Sequence, residues 1–328
     1  MVRLGGLTIL ATVCNTTPEM APYALWLAKD DQEYLVDLSD LLRPEKDIGL
    51  TGLAYHDGSL YLAVQSGSSP RILVFDRQLT CIDVITHRNI TDIHSLYFDD
   101  GKLLVVSTGN QSVIAIDPTD HGATTLFSTG QRIHVNSVVR DERGLLICCQ
   151  SPKHLFGSAS QGGVIDVTNQ RIILDGLGYP HSLEPDGEQF IVLDSTGERV
   201  IRFDHNGIVQ QQAVSGFLRG ASALAGCLYV ASSVGRITSR KHPQPPSRPP
   251  GWEALGERVC IHELDGKTLT ARGCFFPLVA GFEIYELLVL AGADVIDPPA
   301  WRMLTPDPHT LSRAFYEAAK SAVAGRWE

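Results

Sequence analysis

His94-Ser-Leu-Tyr-Phe-Asp-Asp-Gly101 runs into Lys102-Leu-Leu-Val-Val-Ser-Thr-Gly109 and then Ser112-Val-Ile-Ala-Ile-Asp117. The same sentence is written twice more. Thr51-Gly-Leu-Ala-Tyr-His-Asp-Gly58 leads through Leu60-Tyr-Leu-Ala-Val-Gln-Ser-Gly67 to Arg71-Ile-Leu-Val-Phe-Asp76, and His181-Ser-Leu-Glu-Pro-Asp-Gly187 leads through Phe190-Ile-Val-Leu-Asp-Ser-Thr-Gly197 to Arg199-Val-Ile-Arg-Phe-Asp204. Two weaker copies begin at Asn136 and Arg219. From position 52 the steps to 94, 136, 181 and 219 are 42, 42, 45 and 38 residues. Several short strands per period of that length are the mark of a β-propeller, in which each repeat is one four-stranded blade.

A sixth inner strand reads Glu283-Ile-Tyr-Glu-Leu-Leu-Val-Leu290. The long step to it contains His242-Pro-Gln-Pro-Pro-Ser-Arg-Pro-Pro-Gly251, too proline-rich for a central strand, so residues 240–256 read as a loop inserted within the fifth blade. The sixth repeat lacks downstream strands. Apolar runs at 7–14, 23–28 and 34–38 supply them, so the two ends of the chain are expected to share a blade and close the ring. The expected fold is all-β, a six-bladed propeller over residues 1–305 with a helical tail at 306–328. Pro308 to Ala324 carries Leu311, Phe315, Ala318 and Ala322 at helical spacing. Asp57-Gly58, Asp100-Gly101, Asp186-Gly187, Asn206-Gly207 and Asp265-Gly266 read as tight hairpin turns. Asp76, Asp117 and Asp204, at strand ends, read as turn-formers.

The chain has 328 residues, 44% of them hydrophobic, and a net charge of −10. It shows no run of basic residues, which argues against nucleic acid or an anionic membrane as partner. The apolar run from Leu7 is too short to span a bilayer. Seven cysteines lack Cys-x-x-Cys spacing and read as reduced residues of a cytoplasmic protein. Cys148 and Cys149 should face opposite sides of one strand. No Gly-x-Ser-x-Gly, P-loop or dinucleotide fingerprint occurs.

Tyr179-Pro-His-Ser, Leu193-Asp-Ser-Thr-Gly-Glu198, Gly216-Phe-Leu-Arg-Gly220 and Phe282-Glu-Ile-Tyr-Glu-Leu-Leu-Val-Leu290 resemble an uncharacterised family of bacterial six-bladed propellers, known by Pro-His-Ser, Gly-Phe-x-Arg-Gly and Glu-Ile-Tyr-Asp motifs. The resemblance covers most of the chain and is weakest before residue 50. Glu286 stands where that family has Asp. The resemblance implies fold and site location more than a reaction.

The repeat places Gly52 or Thr51, His94, Asn136, His181, Arg219 and Glu283 at equivalent points, hence around one channel mouth. His94, His181 and Glu283 form a candidate set for a divalent metal ion with open positions. Arg219, Asn136 and His134 are candidate contacts for a small polar or anionic metabolite. His181 or His94 would act as general base and Tyr285 as proton donor. Water in the channel, or a metal-free organic site, would call for the same residue types. The function expected from these residues is a metal-dependent hydrolase, lyase or isomerase, by analogy with propeller lactonases and streptogramin-type lyases. The alternative is a non-catalytic ligand-binding or protein-interaction scaffold. Asp194 and Ser195 read as turn residues, and His56, His87, His121, His205, His242 and His309 as surface residues.

Overall fold

The computed structural model describes residues 6–156, 162–233, 259–281, 283–294 and 296–306. The expected loop at 240–256 and the expected helix at 308–324 lie outside the described residues. Within them the chain forms six antiparallel sheets arranged as the blades of a ring. The inner strands are Asp47–His56, Ile93–Asp99, Val135–Asp141, Pro180–Asp186, Phe217–Leu224 and Glu283–Ala291. The first five each begin a four-stranded meander, the simplest way to pair sequential strands. In the fifth blade the second and third strands, Cys227–Ser233 and Cys260–Asp265, flank the proline-rich segment.

The sixth blade is built from both ends of the chain. Glu283–Ala291 pairs with Leu7–Cys14, which pairs with Leu25–Lys29, then Gln32–Val36. Outside these the two-residue strand Met303–Leu304 adds a fifth, short edge. The ring therefore closes through side-by-side hydrogen bonding of terminal strands, and each inner strand is a protected edge of its blade.

Two of the five expected Asp-Gly and Asn-Gly turns take the primed-hairpin form. Asp57-Gly58 and Asp100-Gly101 take positive φ at both residues, as a type I′ hairpin requires. Ala225-Gly226 does the same without an acidic signal. Asp265-Gly266 does not: Asp265 Oδ1 instead accepts the N–H groups of Lys267 and Thr268. Asp76, Asp117 and Asp204 close their turns by the same side-chain acceptance from a backbone N–H two residues on.

Apolar side chains of facing sheets fill the spaces between blades. Cys148 packs with Val139, Val192 and Phe203, whereas Cys149 packs with Val113, Val135 and Ile165. The adjacent pair thus serves the two faces of one strand, and burial raises both thiols, Cys149 to about 12. Neither is a thiolate nucleophile at neutral pH. Among the described residues no helix is long and apolar enough to cross a membrane.

Candidate functional site at the channel mouth

Every inner strand breaks register near its start. Pairing to the second strand skips His94, Asn136 and Ser182 in their blades, and the pairs Thr51-Gly52 and Arg219-Gly220 in theirs. In the closing blade the skip falls on Tyr285. A bulge leaves a residue outside the ladder and re-aims its side chain. Six bulges at one level therefore set a collar around the channel.

Hairpin register fixes which residues correspond. Thr51, His94, Asn136, His181 and Arg219 each lie five positions before the last paired residue of their hairpin, namely His56, Asp99, Asp141, Asp186 and Leu224. The sixth inner strand has no such hairpin, and packing supplies its register. A Cβ on Gly52 would strike the Ser95–Leu96 peptide, and one on Gly220 the Glu286–Leu287 peptide, so Glu286 corresponds to Ser95. Tyr285, not Glu283, is then the counterpart of His94. Glu283 lies two residues further out, level with Asp92, His134, Tyr179 and Phe217.

This register explains the contacts. Tyr285, 4% exposed, occupies the centre of the collar. Its ring meets the His94 ring edge-on at 5.5 Å and the His181 ring at 6.3 Å, and the Arg219 guanidinium lies 4.7 Å from its centroid. The two histidines thus share one end of the channel. His134 stands edge-on to His94 at 5.0 Å, and Phe217 covers the far sides of Arg219 and His181 at 5.2 and 5.8 Å.

Both imidazoles are held in defined tautomers. Asn136 Nδ2 donates to the Pro180 carbonyl at 2.7 Å, which turns its oxygen to His94 Nδ1 at 3.1 Å. Nδ1 of His94 is therefore the donor. Its Nε2 lies 3.5 Å from Asp92 Oδ1. His181 Nδ1 donates to the Tyr179 carbonyl and to Ser195 Oγ, both at 2.8 Å, while Ser195 gives its own proton to the Leu218 carbonyl. Burial, Arg219 and His94 hold the His181 pKa well below its ordinary value. His181 is thus neutral, with its lone pair on Nε2.

Arg219, 5% exposed, has poor acceptors for a buried cation. Nη1 points to Cys14 Sγ at 3.4 Å, and Nη2 lies 3.6 Å from Glu283 Oε1. Its Nε is sealed from solvent with no hydrogen-bond partner among the described residues. Asn15, at φ +53, donates through Nδ2 to Glu283 Oε2 at 2.5 Å and exchanges hydrogen bonds with Gln65.

Deeper in the channel, Ser182 gives its single proton to the Arg219 carbonyl, and its oxygen lies 3.2 Å from Glu286 Oε1. That contact is completed by a proton on Glu286, whose pKa burial raises to about 8. Glu184 is pushed well up by burial and by Glu286. Two acids below the collar thus favour their neutral forms.

The structure brings together His94, His134, Asn136, His181, Arg219, Glu283 and Tyr285. It adds Cys14, Asn15, Gln65 and Ser195. Asp194 is a turn residue, its carboxylate accepting from Gly178, Gly197 and Arg199. His205, expected at the surface, is buried between Asp141 and Arg171. Among the described residues, no three or more His, Cys, Asp or Glu side chains stand close enough to hold a metal ion together.

No family model matches the chain, and no curated protein matches it. Among solved structures it is similar to a chain in a crystal structure of a nidogen/laminin complex. The TM-score is 0.58 at 13% identity, over 87% of this chain and 98% of that one. At that identity the likeness is one of fold.

Proposed function

We propose that the protein is a recognition module whose channel mouth binds a ligand carrying a carboxylate or similar oxyanion. The observation that carries this reading is Arg219. A buried guanidinium needs strong acceptors, yet its protein partners are a thiol, a carboxylate at 3.6 Å and two aromatic faces. An oxyanion entering from the mouth would supply the missing acceptors, with Tyr285 and the imidazoles around it. The carboxylate belongs to a free metabolite or to an acidic side chain of a partner protein. The similar chain from a nidogen/laminin complex comes from a protein–protein assembly, which agrees with the second source. The test is a thermal-shift titration with acetate and with a capped Asp peptide. Ligand at a hundred times its Kd should stabilise the protein by about 2.7 kcal/mol. Removing Arg219 alone takes the positive charge from beside the buried Glu283 carboxylate, so the informative variant is the charge-paired double substitution Arg219→Gln, Glu283→Gln. It should fold and bind at least about tenfold more weakly, a loss of about 1.4 kcal/mol. Wild-type protein indifferent to every carboxylate sinks the proposal. A response to the peptide but not to acetate assigns the site to a protein partner.

A second reading, metal-dependent hydrolysis, elimination or isomerisation, draws on one observation. His181 is neutral and keeps its lone pair on Nε2, as a general base or a metal ligand must. Against it, Glu283 already faces Arg219. Elemental analysis of protein purified without chelator is expected to find far less than one divalent ion per chain. Stoichiometric metal, lost in His181→Ala, would restore this reading.

A further inference from the structure

We infer that the ligand site continues from the channel mouth into a cleft between the first and second blades, and that the cleft takes a second oxyanion of the same ligand. The inference rests on the carboxylate reading of the mouth. The cleft is open to solvent and offers about 480 Å³, within the range of small-molecule sites. One wall is the end of the second strand of blade one, with Ser66 and Ser68. The other is the loop that enters the inner strand of blade two, with His87, Arg88, Thr91 and Asp92. Ser66 pairs with Asp47 at the start of its neighbouring inner strand, and the loop ends where Ile93 begins. Both walls therefore lie at the end of the ring that carries the collar.

Asp92 joins the two sites. It lines the cleft, and its Oδ1 lies 3.5 Å from His94 Nε2. The cleft chemistry is that of an oxyanion pocket. Arg88 is exposed and makes no ion pair or hydrogen bond with a described residue. His87 Nδ1 accepts the Asn89 N–H at 3.2 Å, which leaves Nε2 as its donor. Ser66, Ser68 and Thr86 add hydroxyls to the lining. A guanidinium, an imidazole N–H and hydroxyls suit carboxylate or phosphate oxygens. Asp92 lines the cleft beside His94, so an acidic group held close to it meets its charge. A short spacer would hold one of the ligand's two acidic groups there.

The test is isothermal titration of the full chain with acetate, malonate, glutarate and adipate. Wild type should bind acetate weakly and malonate no better. The longer dicarboxylates should bind at least about tenfold more tightly than acetate. Arg88→Gln, a surface change that disturbs no partner among the described residues, should return the long dicarboxylates to the acetate level and leave acetate unchanged. Equal affinity for acetate and adipate in wild type would overturn the second subsite and leave the mouth standing. So would long dicarboxylates that bind Arg88→Gln as tightly as wild type. No binding of any member would overturn this inference, and with no response to the capped Asp peptide either it would remove the mouth reading as well.

Discussion

Deleting residues 1–20 is expected to unfold the whole ring in one cooperative step. The deletion removes Leu7–Cys14, which lies between Glu283–Ala291 and Leu25–Lys29 in the closing blade. Ile9, Leu10 and Val13 are fully buried there, and each contributes roughly 1.5–3 kcal/mol by burial. The loss does not stop with them. Both neighbouring strands lose their ladder partners at once, and Trp26, fully buried one strand out, loses its cover. Domains of this kind are stable by only about 5–15 kcal/mol in total, so no partial ring is expected to survive. Circular dichroism and size-exclusion chromatography of the truncated chain should show loss of sheet signal and an expanded or aggregated species. A truncated protein melting near the wild-type temperature would show that the terminal strand does not close the ring.

That closure was readable before any coordinates because the repeat is incomplete at one end and over-supplied at the other. A strand at 283–290 without downstream partners, and strands at 7–38 without an inner partner, are two halves of one blade. The two-residue strand Met303–Leu304 was not readable, since two residues carry no periodicity. Ala225-Gly226 was missed as a turn because its residues lack the Asn or Asp that usually marks a positive-φ pair.

The site was legible only where the repeat reached it. His94, Asn136, His181 and Arg219 fall at one level because five hairpins have the same length. The sixth position was misread as Glu283 because the inner strand of the closing blade has no hairpin of its own from which to count. The bulge at Tyr285 places the tyrosine level with the histidines. Cys14, Asn15 and Gln65 gave no signal, because they reach the mouth from the closing strand and from a second-strand end, outside the repeat position. His205 looked like a turn residue and is one. The carboxylate of Asp141, 64 residues away in sequence, holds it down. Pairing of that kind is a property of neighbouring blades, not of the local pattern.

Glu286→Gln is expected to make the protein markedly more stable above neutral pH. The folded carboxyl keeps its proton to about pH 8, whereas the ordinary value in an unfolded chain is 4.5. Between those limits the unfolded state has released a proton that the native state still holds. Stability therefore falls as pH rises, by about 1.4 kcal/mol per unit for this group. Glu184 acts in the same direction. His181 and His262 act in the opposite one, since burial lowers both below 6.5 and stability is lost as pH falls through that value. The two effects offset each other between 4.5 and 6.5. Well above 6.5 these two histidines are neutral in both states and no longer oppose the carboxyls. Glutamine is nearly isosteric and carries no titrating proton, but it keeps only one of the two contacts of Glu286 Oε1: its amide can donate to Ser182 Oγ there, or its oxygen can accept the Leu287 N–H. Urea unfolding at pH 6.5 and pH 8 should then show a wild-type loss exceeding that of the variant by about 2 kcal/mol over the 1.5 units. Identical slopes in the two proteins would mean that Glu286 is ionised in the native channel. The proton assigned to its contact with Ser182 would then be absent, and the channel below the collar would carry a fixed negative charge.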